Sequence, residues 1–220
     1  MKGVARVIRA VLFDFDGTLA DTLPLVYRSF REMWRGVDGR ERSDEEILSL
    51  FGPPEEEIIR QRVPEEQLEA SLEEYYSLYQ KFHEEEVEQV PQMLQLLRDL
   101  KENGYQVGVV TGKGRRSAEI SLAKLEMADL VDILVTGSDV RRYKPHPEGI
   151  QKALSQLGCS PEEGIYVGDS PGDVHAGLAA GVGTVGVRWF VGSDSRPFDP
   201  KPQLVAESVE VFQNWLTSRG

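Results

Sequence analysis

The sequence predicts an α/β fold: a parallel sheet core flanked by helices, with an all-helical cap subdomain inserted after the first strand. From about residue 90 onward, short apolar runs alternate with helical patterns, which is typical of parallel strands joined by crossover helices. Strand patterns are missing between about residues 20 and 87, where helical periodicity takes over. The chain has 220 residues, enough for one ordinary domain and a smaller one.

The first strand is predicted at the apolar run Val11 to Phe13, which is followed by two acids, Asp14 and Asp16. Side chains of an extended chain alternate between faces, so acids two positions apart share one side. Gly17 and Thr18 follow as a turn. Carboxylates at a strand end suit Mg²⁺, which prefers hard oxygen ligands and keeps several waters.

The rest of the core is predicted from apolar runs and the helical patterns between them. Gly104, Gly158 and Gly181 each follow a helical pattern, where a left-handed cap residue is expected. The result is a Rossmann-like core covered by helices on both faces. The strands after the first are expected at Val107 to Val110, Ile133 to Val135, Ile165 to Val167, Thr184 to Val187, and Leu204 to Ala206, with a last helix from Val209 to Leu216.

The inserted segment has its own helix signals. Ser43-Asp44-Glu45-Glu46 matches a capping box, and Pro53 and Pro54 precede three acids as at a helix N-terminus. The predicted division is therefore residues 1–19 and 88–220 for the core and residues 20–87 for the cap. Residues 23–86 contain seventeen Asp or Glu and eight Lys or Arg, which is −9 of the net charge of −12. We interpret this excess as a solvated acidic surface.

Composition excludes several classes of function. The net charge of −12 and pI near 4.8 argue against binding to nucleic acid or to an anionic membrane, since both polyanions would be repelled. One cysteine, Cys159, cannot form an internal disulfide, which fits a reducing compartment. The apolar run Ala10 to Phe13 is too short for a signal sequence or membrane span. We expect a cytoplasmic monomer or homodimer.

Polar residues follow the predicted strands at the edge where parallel sheets bind ligands. A phosphoryl group needs hydroxyl and amide donors, a cation and a neutralising metal. Thr111 offers a hydroxyl, Gly112 an approachable amide, and Lys144 a point charge. Two further acids, Asp169 and Asp173, follow the Ile165 strand. Asp173 could also be the N-cap of a helix from Val174 to Ala180.

Four motifs occur in order along the chain. They are Asp14-Phe15-Asp16-Gly17-Thr18, Val109-Val110-Thr111-Gly112-Lys113, Tyr143-Lys144-Pro145-His146-Pro147 and Gly168-Asp169-Ser170-Pro171-Gly172-Asp173. With these motifs the chain resembles the haloacid dehalogenase superfamily of aspartate-nucleophile phosphatases, in its phosphoglycolate phosphatase-like branch. The chain departs from that branch at Gly112, where Asn or Ser is common, and at Trp189-Phe190, where Trp-Gly is frequent.

The resemblance implies a mechanism. Asp14 would attack phosphorus, and Asp16 would act as general acid and then general base. Mg²⁺ would be held by Asp14, the backbone carbonyl of Asp16, and Asp169, while Asp173 would orient Lys144 or a metal-bound water. Thr111, Gly112 and Lys144 would bind phosphate. True dehalogenases lack an acid at the position of Asp16, so carbon–halogen chemistry is not expected.

Substrate identity stays open in the sequence. A Mg²⁺-dependent phosphatase of a small phosphomonoester such as phosphoglycolate is the leading hypothesis. The alternatives are a sugar-phosphate mutase of the β-phosphoglucomutase type and an inorganic pyrophosphatase. A carboxylate-bearing substrate would need a cation at its far end. The candidates for that contact are Lys113 in the second motif and three arginines of the cap, Arg28, Arg60 and Arg62.

Overall fold

The computed structural model describes residues 7–190 and 196–219 of the chain. Residues 1–6, 191–195 and 220 lie outside this description, and all of them belong to the predicted core range. The described residues contain a six-stranded, wholly parallel sheet in the order β3-β2-β1-β4-β5-β6. Its strands are β1 (Ala10–Phe13), β2 (Gln106–Val110), β3 (Ile133–Val135), β4 (Gly164–Gly168), β5 (Gly183–Val187) and β6 (Leu204–Ala206).

The α-helices of the described residues divide into a group before residue 87 and a group that covers the sheet. Their bounds are α1 (Leu23–Asp38), α2 (Asp44–Leu48), α3 (Glu55–Arg60), α4 (Glu65–Glu86), α5 (Pro91–Glu102), α6 (Arg115–Lys124), α7 (Glu148–Leu157), α8 (Pro171–Ala180) and α9 (Val209–Thr217). The predicted α/β architecture is confirmed, and the strand order is that of a Rossmann-like core.

Both faces of the sheet are buried because helices pack on each. Along β1, Val11 and Phe13 pack with residues of α5, α6 and α9, whereas Ala10 and Leu12 pack with α7 and α8. This alternation follows from the two-residue period of a strand. The order of the strands reverses between β1 and β4, which are neighbours at the centre of the sheet. The edge beyond the carboxyl ends of these two strands is where ligands bind in such sheets.

Helices α1 to α4 lie in the predicted cap and share an apolar core of their own. Long side chains from α1 and α4 fill it, among them Trp34, Tyr75 and Tyr79, and Ile58 and Ile59 of α3 join them. The predicted cap range of residues 20–87 contains all four helices. The cap therefore buries apolar surface independently of the sheet, while the division into two domains stays a prediction.

Helix termini follow the sequence signals except in one case. Gly104, Gly158 and Gly181 have φ of 80°, 65° and 80°, as predicted for left-handed caps. The capping box of Ser43 and Glu46 is present. None of the described helices combines the length and apolar character needed to cross a membrane.

The exception is the N-terminus of α8, where the prediction of Asp173 as N-cap was wrong. Helix α8 begins at Pro171, its N-cap is Ser170, and Asp173 lies at the third helical position. The Ser170 side chain accepts a hydrogen bond from the Asp173 N–H at 3.2 Å, and the Asp173 carboxylate accepts one from the Ser170 N–H at 2.9 Å. This reciprocal capping box satisfies two helix donors at once.

Candidate active site

The carboxyl ends of β1, β2 and β4 lie side by side and carry polar residues. Asp14 follows β1, Thr111 follows β2, and Asp169 follows β4. The parallel register pairs Phe13 with Val109 on one side and with Val167 on the other, so the three strands end at the same edge. Lys144 reaches this edge from the loop between β3 and α7. Four residues from four separate segments therefore converge at one place.

Lys144 links two of the acids. Its Nζ is 2.9 Å from Asp14 Oδ2 and 2.6 Å from Asp173 Oδ1. It also donates to the Tyr166 hydroxyl at 3.2 Å, and that hydroxyl donates to the Val110 carbonyl at 2.7 Å. Burial lowers the pKa of Lys144, but Asp14 and Asp173 outweigh it and raise the pKa well above its ordinary value. Lys144 is therefore a permanent cation held between two carboxylates.

Asp14, Asp169 and Asp173 form a compact cluster of buried carboxylates. One oxygen of each lies within 4.8 Å of the other two. Burial raises the pKa of Asp14 to about 6, and Lys144 only partly offsets this effect. Burial, together with the charges of Asp173 and Asp14, raises the pKa of Asp169 to about 8. Three acids beside a single ammonium leave the cluster short of positive charge.

A divalent cation fits this cluster. Asp14 Oδ1 is buried and has no hydrogen-bond partner among the described residues, although its other oxygen is paired with Lys144. Unpartnered buried oxygens are rare in folded proteins, so this atom needs a ligand. The available donors are carboxylate oxygens, the type that Mg²⁺ prefers. The Asp16 carboxylate is not part of this cluster, and a contribution from its backbone carbonyl stays a prediction.

The turn after β1 brings its backbone against Asp169. Gly17 has φ of 76°, a conformation that side chains rarely adopt. A Cβ at this position would overlap the Asp169 carboxylate. Glycine at position 17 thus allows the β1 loop and the acid after β4 to approach closely.

Asp16 is held by two residues, Lys113 and Thr22. Lys113 Nζ donates to Asp16 Oδ1 at 2.9 Å and to Oδ2 at 3.1 Å. The Thr22 hydroxyl donates to Asp16 Oδ1. Thr22 was not singled out from the sequence, because no local pattern joins it to an acid six residues earlier. Lys113 therefore pairs with a predicted catalytic acid, and its predicted contact with substrate stays a prediction.

Thr111 and Gly112 lie in the loop that also carries Lys113. The Thr111 side chain is buried, and its hydroxyl oxygen accepts the Lys113 N–H at 3.3 Å. The Thr111 N–H donates to the Val135 carbonyl at 3.0 Å. Gly112 is partly exposed, and a Cβ there would meet open space. Its backbone is therefore approachable, as expected for a phosphate-binding amide.

The cap also contributes a buried acid to this region. Glu55, the first residue of α3, is 5% exposed, and its Oε2 accepts the Gly114 N–H. Its neighbour Glu56 accepts the Ser138 hydroxyl. The sequence pattern of two prolines followed by acids predicted only the start of a helix here. It gave no indication that Glu55 and Glu56 contact the core. The cap seats α3 on the loops after β2 and β3.

Arg60 is not brought to the acidic cluster. It lies at the far end of α3, is exposed, and pairs with Glu57 at 3.8 Å. Its predicted role in contacting substrate has no support from these contacts.

Comparison with known proteins places the chain in a family. A profile of haloacid dehalogenase-like hydrolases matches residues 11–187. Pyrophosphatase PpaX of Bacillus cereus strain AH820 is 36% identical over 182 residues, which make up 83% of this chain and 84% of that protein. The residues matched by the profile include the acids after β1 and β4 and the predicted cap range of residues 20–87.

Solved structures share the fold. A Haemophilus somnus 129pt protein described as a predicted phosphoglycolate phosphatase aligns with a TM-score of 0.79 at 21% identity, covering 94% of this chain and 98% of that one. CbbY from Rhodobacter sphaeroides in complex with phosphate aligns with a TM-score of 0.79 at 24% identity, covering 92% and 95%. These structures show a shared fold, while the profile match and the 36% identity to PpaX establish that the chain belongs to the haloacid dehalogenase-like hydrolases.

Proposed function

We propose that the chain is a Mg²⁺-dependent phosphatase that hydrolyses a small phosphomonoester of the phosphoglycolate type through an aspartyl phosphate on Asp14. The observation that carries this proposal is the unequal hydrogen bonding of the two Asp14 carboxylate oxygens. One oxygen is held by Lys144, and the other is buried without a hydrogen-bond partner among the described residues. A carboxylate fixed in this way at the ligand-binding edge of the sheet is suited to nucleophilic attack.

In the first step, an Asp14 oxygen forms a bond to phosphorus while the bond to the leaving oxygen breaks. Asp16 gives its proton to the leaving oxygen, so that an alcohol departs rather than an alkoxide. In the second step, Asp16 takes a proton from a water molecule that attacks the phosphorus. Phosphate leaves, and both carboxylates return to their starting states. Splitting one displacement into two lowers each barrier.

The remaining residues stabilise charge and orient groups. Lys144 neutralises Asp14 and the phosphoryl oxygens, and Asp173 holds the Lys144 ammonium at 2.6 Å. The Thr111 hydroxyl and the Gly112 N–H donate to the transferring phosphoryl group. Asp14, Asp169 and the Asp16 carbonyl would hold Mg²⁺, which when bound supplies positive charge that neutralises the phosphoryl oxygens.

Inorganic pyrophosphate is a second candidate substrate. The observation in its favour is the 36% identity to pyrophosphatase PpaX over most of both chains. The same attack by Asp14 would release phosphate as the leaving group. Pyrophosphate and phosphoglycolate are both small and carry a negative charge beyond the phosphoryl group that is attacked.

A substrate panel tests the proposal. We would measure phosphate release from phosphoglycolate, pyrophosphate, nucleotides and hexose phosphates, with Mg²⁺ or EDTA, and use Asp14→Asn as the control. Mg²⁺-dependent release from a small ester, abolished in the variant, is the expected result. Release from pyrophosphate alone would favour the second candidate. A hexose phosphate that is isomerised without phosphate release would indicate a mutase and overturn both.

A further inference from the structure

A buried ion pair holds the predicted general acid. Lys113 is 6% exposed, and its ammonium contacts both oxygens of Asp16, at 2.9 and 3.1 Å. Burying an ammonium is unfavourable unless it is paired, so Lys113 depends on its carboxylate partners. The Thr22 hydroxyl also donates a hydrogen bond to Asp16 Oδ1. Asp16 therefore cannot rotate without breaking contacts to both Lys113 and Thr22.

The cap supplies a second carboxylate near the same ammonium. Glu55 begins α3 and accepts the N–H of Gly114, the residue next to Lys113. Burial raises the pKa of Glu55, and the charge of Lys113 acts in the opposite direction. Glu55 Oε1 is buried without a hydrogen-bond partner among the described residues. Lys113 thus has a carboxylate of the core and a carboxylate of the cap as its charged neighbours.

We propose that Lys113 is a positioning residue for Asp16, and that Glu55 makes this positioning depend on the cap being seated on the core. The proposal rests on the proposed function, since it assumes that Asp16 transfers a proton to a leaving group.

The physical reason is the change in surroundings when the cap is seated. With Glu55 on the Gly114 N–H, water is kept away from Lys113, and its attraction to Asp16 is strong. With the cap lifted, Glu55 would leave, and water would solvate the ammonium and weaken the ion pair. Asp16 would then be free to turn. The acid is consequently in place only when the leaving group is enclosed.

Lys113 acts without giving up its own proton. Burial lowers its pKa, but the charges of Asp16, Tyr79 and Glu55 outweigh this and raise it above the ordinary value. When Asp16 passes its proton to the leaving oxygen, the ammonium stabilises the carboxylate that remains. The same carboxylate then accepts a proton from the attacking water. In this scheme Lys113 contacts Asp16 and not the substrate, and it acts on the reaction only through Asp16.

Two substrates of similar size separate positioning from a structural role. Acetyl phosphate releases acetate, which leaves without a proton, whereas ethyl phosphate must release an alkoxide that needs one. Loss of a well-placed general acid should therefore slow ethyl phosphate selectively. We compare kcat/KM, which covers steps only up to departure of the leaving group and so excludes the later general-base step that both substrates share. For Glu55→Gln, which keeps an oxygen for the Gly114 N–H, we expect kcat/KM on ethyl phosphate to fall about tenfold and kcat/KM on acetyl phosphate to change less than about twofold.

Glu57→Gln is the matched control. It is the same substitution in the same helix, at a partly exposed residue that pairs with Arg60 and accepts a hydrogen bond from Gln61. We expect the ratio of kcat/KM on ethyl phosphate to kcat/KM on acetyl phosphate to match that of the unaltered protein.

Lys113→Met should give the larger selective loss, about a hundredfold on ethyl phosphate, because general acid catalysis is itself worth that much or more. Lys113→Arg keeps the charge and should recover part of this loss. If Glu55 acts through Lys113, the double variant Glu55→Gln, Lys113→Met should be no slower than Lys113→Met alone. Circular dichroism would establish which variants fold. If Lys113→Met does not fold, the proposal is tested by Glu55→Gln alone, through the ratio of its kcat/KM on ethyl phosphate to its kcat/KM on acetyl phosphate.

Two results would overturn the proposal in different ways. Equal losses on both substrates in Glu55→Gln, or none on either, would leave the phosphatase in place and reject positioning through Lys113. Failure of the unaltered protein to hydrolyse either ester would reject the proposed ester hydrolysis, and the positioning proposal with it.

Discussion

At the scale of single residues, the acidic cluster combines groups that destabilise one another. Burial and neighbouring carboxylates raise the pKa of Asp169 to about 8, which means that its charged form is disfavoured in the folded protein. The stability gained from a protonated Asp169 is full below the ordinary carboxyl pKa and is lost as the pH rises through about 8. Strain of this kind is typical of functional sites, where stability is given up for reactivity.

Asp169→Asn should therefore stabilise the metal-free protein. At about pH 9 with EDTA, we expect the variant to be more stable by about 1–2 kcal/mol, because a buried charge beside Asp14 and Asp173 is removed. For a chain of this length, this corresponds to a Tm higher by about 2–8 °C. Mg²⁺ should raise the Tm of the unaltered protein and have little effect on the variant. Thermal unfolding with EDTA and with Mg²⁺ measures both, and an equal rise with Mg²⁺ in the two proteins would contradict the prediction.

Gly17→Ala should impair the site more than the fold. The new Cβ would overlap the Asp169 carboxylate, and φ of 76° is strained for alanine. Gly104→Ala is the control, because it has a similar φ of 80° and meets no atom within 4 Å. Both should lose about 1–2 kcal/mol of stability from backbone strain. Only Gly17→Ala should also lower kcat, by about tenfold or more, since small misplacements of catalytic groups are costly. Equal activity of the two variants would argue against a role for the close approach.

At the scale of elements, the cap is seated where α3 meets the N-terminus of α6. Two acids of α3 reach the core there, and a carboxylate near the first N–H groups of a helix is favoured by their partial positive charge. Small residues make this contact possible. A Cβ at Gly137 would lie 3.1 Å from Pro54 Cβ, and one at Gly114 would lie 2.8 Å from Glu55 Oε2.

Gly114→Ala should loosen this contact. Its φ of −67° suits any residue, so the effect comes from overlap with Glu55 and Glu56 rather than from the backbone. Gly112→Ala, two residues earlier, adds its Cβ in open space. We expect Gly114→Ala to lower the free energy of unfolding by about 1–3 kcal/mol and Gly112→Ala to change it by less than about 0.5 kcal/mol. Urea unfolding measures both, and similar values would show that the cap adjusts without strain.

The N-terminus of α8 shows how an element can be placed correctly and its capping residue wrongly. Asp173 is a good N-cap residue, and the Val174 helix pattern begins directly after it. The spacing of Ser170 and Asp173 is nonetheless that of a capping box, which was readable from the sequence. The two side chains satisfy each other's backbone N–H, so the helix starts at Pro171.

At the scale of the whole molecule, His83 links the stability of the fold to pH. It belongs to α4, is 3% exposed, and its Nε2 has no hydrogen-bond partner among the described residues. Burial lowers its pKa to about 4, and nearby Lys124 and Lys113 act in the same direction, against Glu84. Because the unfolded chain binds a proton at its ordinary pKa of 6.5, stability falls as the pH drops from about 6.5 towards 4.

His83→Leu should remove this dependence, since leucine has similar bulk and no titrating group. The free energy of unfolding of the unaltered protein, relative to the variant, should fall by about 2 kcal/mol between pH 7.5 and pH 5. The raised pKa values of Asp14 and Asp169 stabilise the protein towards acid, but both proteins share them. Denaturant unfolding at the two pH values gives the difference, and a constant difference would contradict a buried neutral His83.

The sequence by itself determined the features that local periodicity and strand ends encode. Alternating apolar runs and helical patterns indicated the parallel sheet, because a buried parallel strand is apolar on both faces. The acids after β1 and β4 were found because side chains at the carboxyl ends of parallel strands must share one edge. Thr111, Gly112 and Lys144 were singled out because they follow predicted strands at that edge and offer the hydroxyl, amide and charge that a phosphoryl group needs.

Only the tertiary structure decided which charges meet across the cap and the core. Lys113 could have faced solvent, and its pairing with Asp16 depends on residues 97 positions apart. Glu55 reaches Gly114 over 59 positions, and Arg60, five residues after Glu55, does not reach the acidic cluster. Such contacts follow from how α3 is seated on the core, which depends on the packing of the entire cap. Periodicity reports which face of an element is buried, whereas electrostatic pairing depends on positions in space that no local pattern contains.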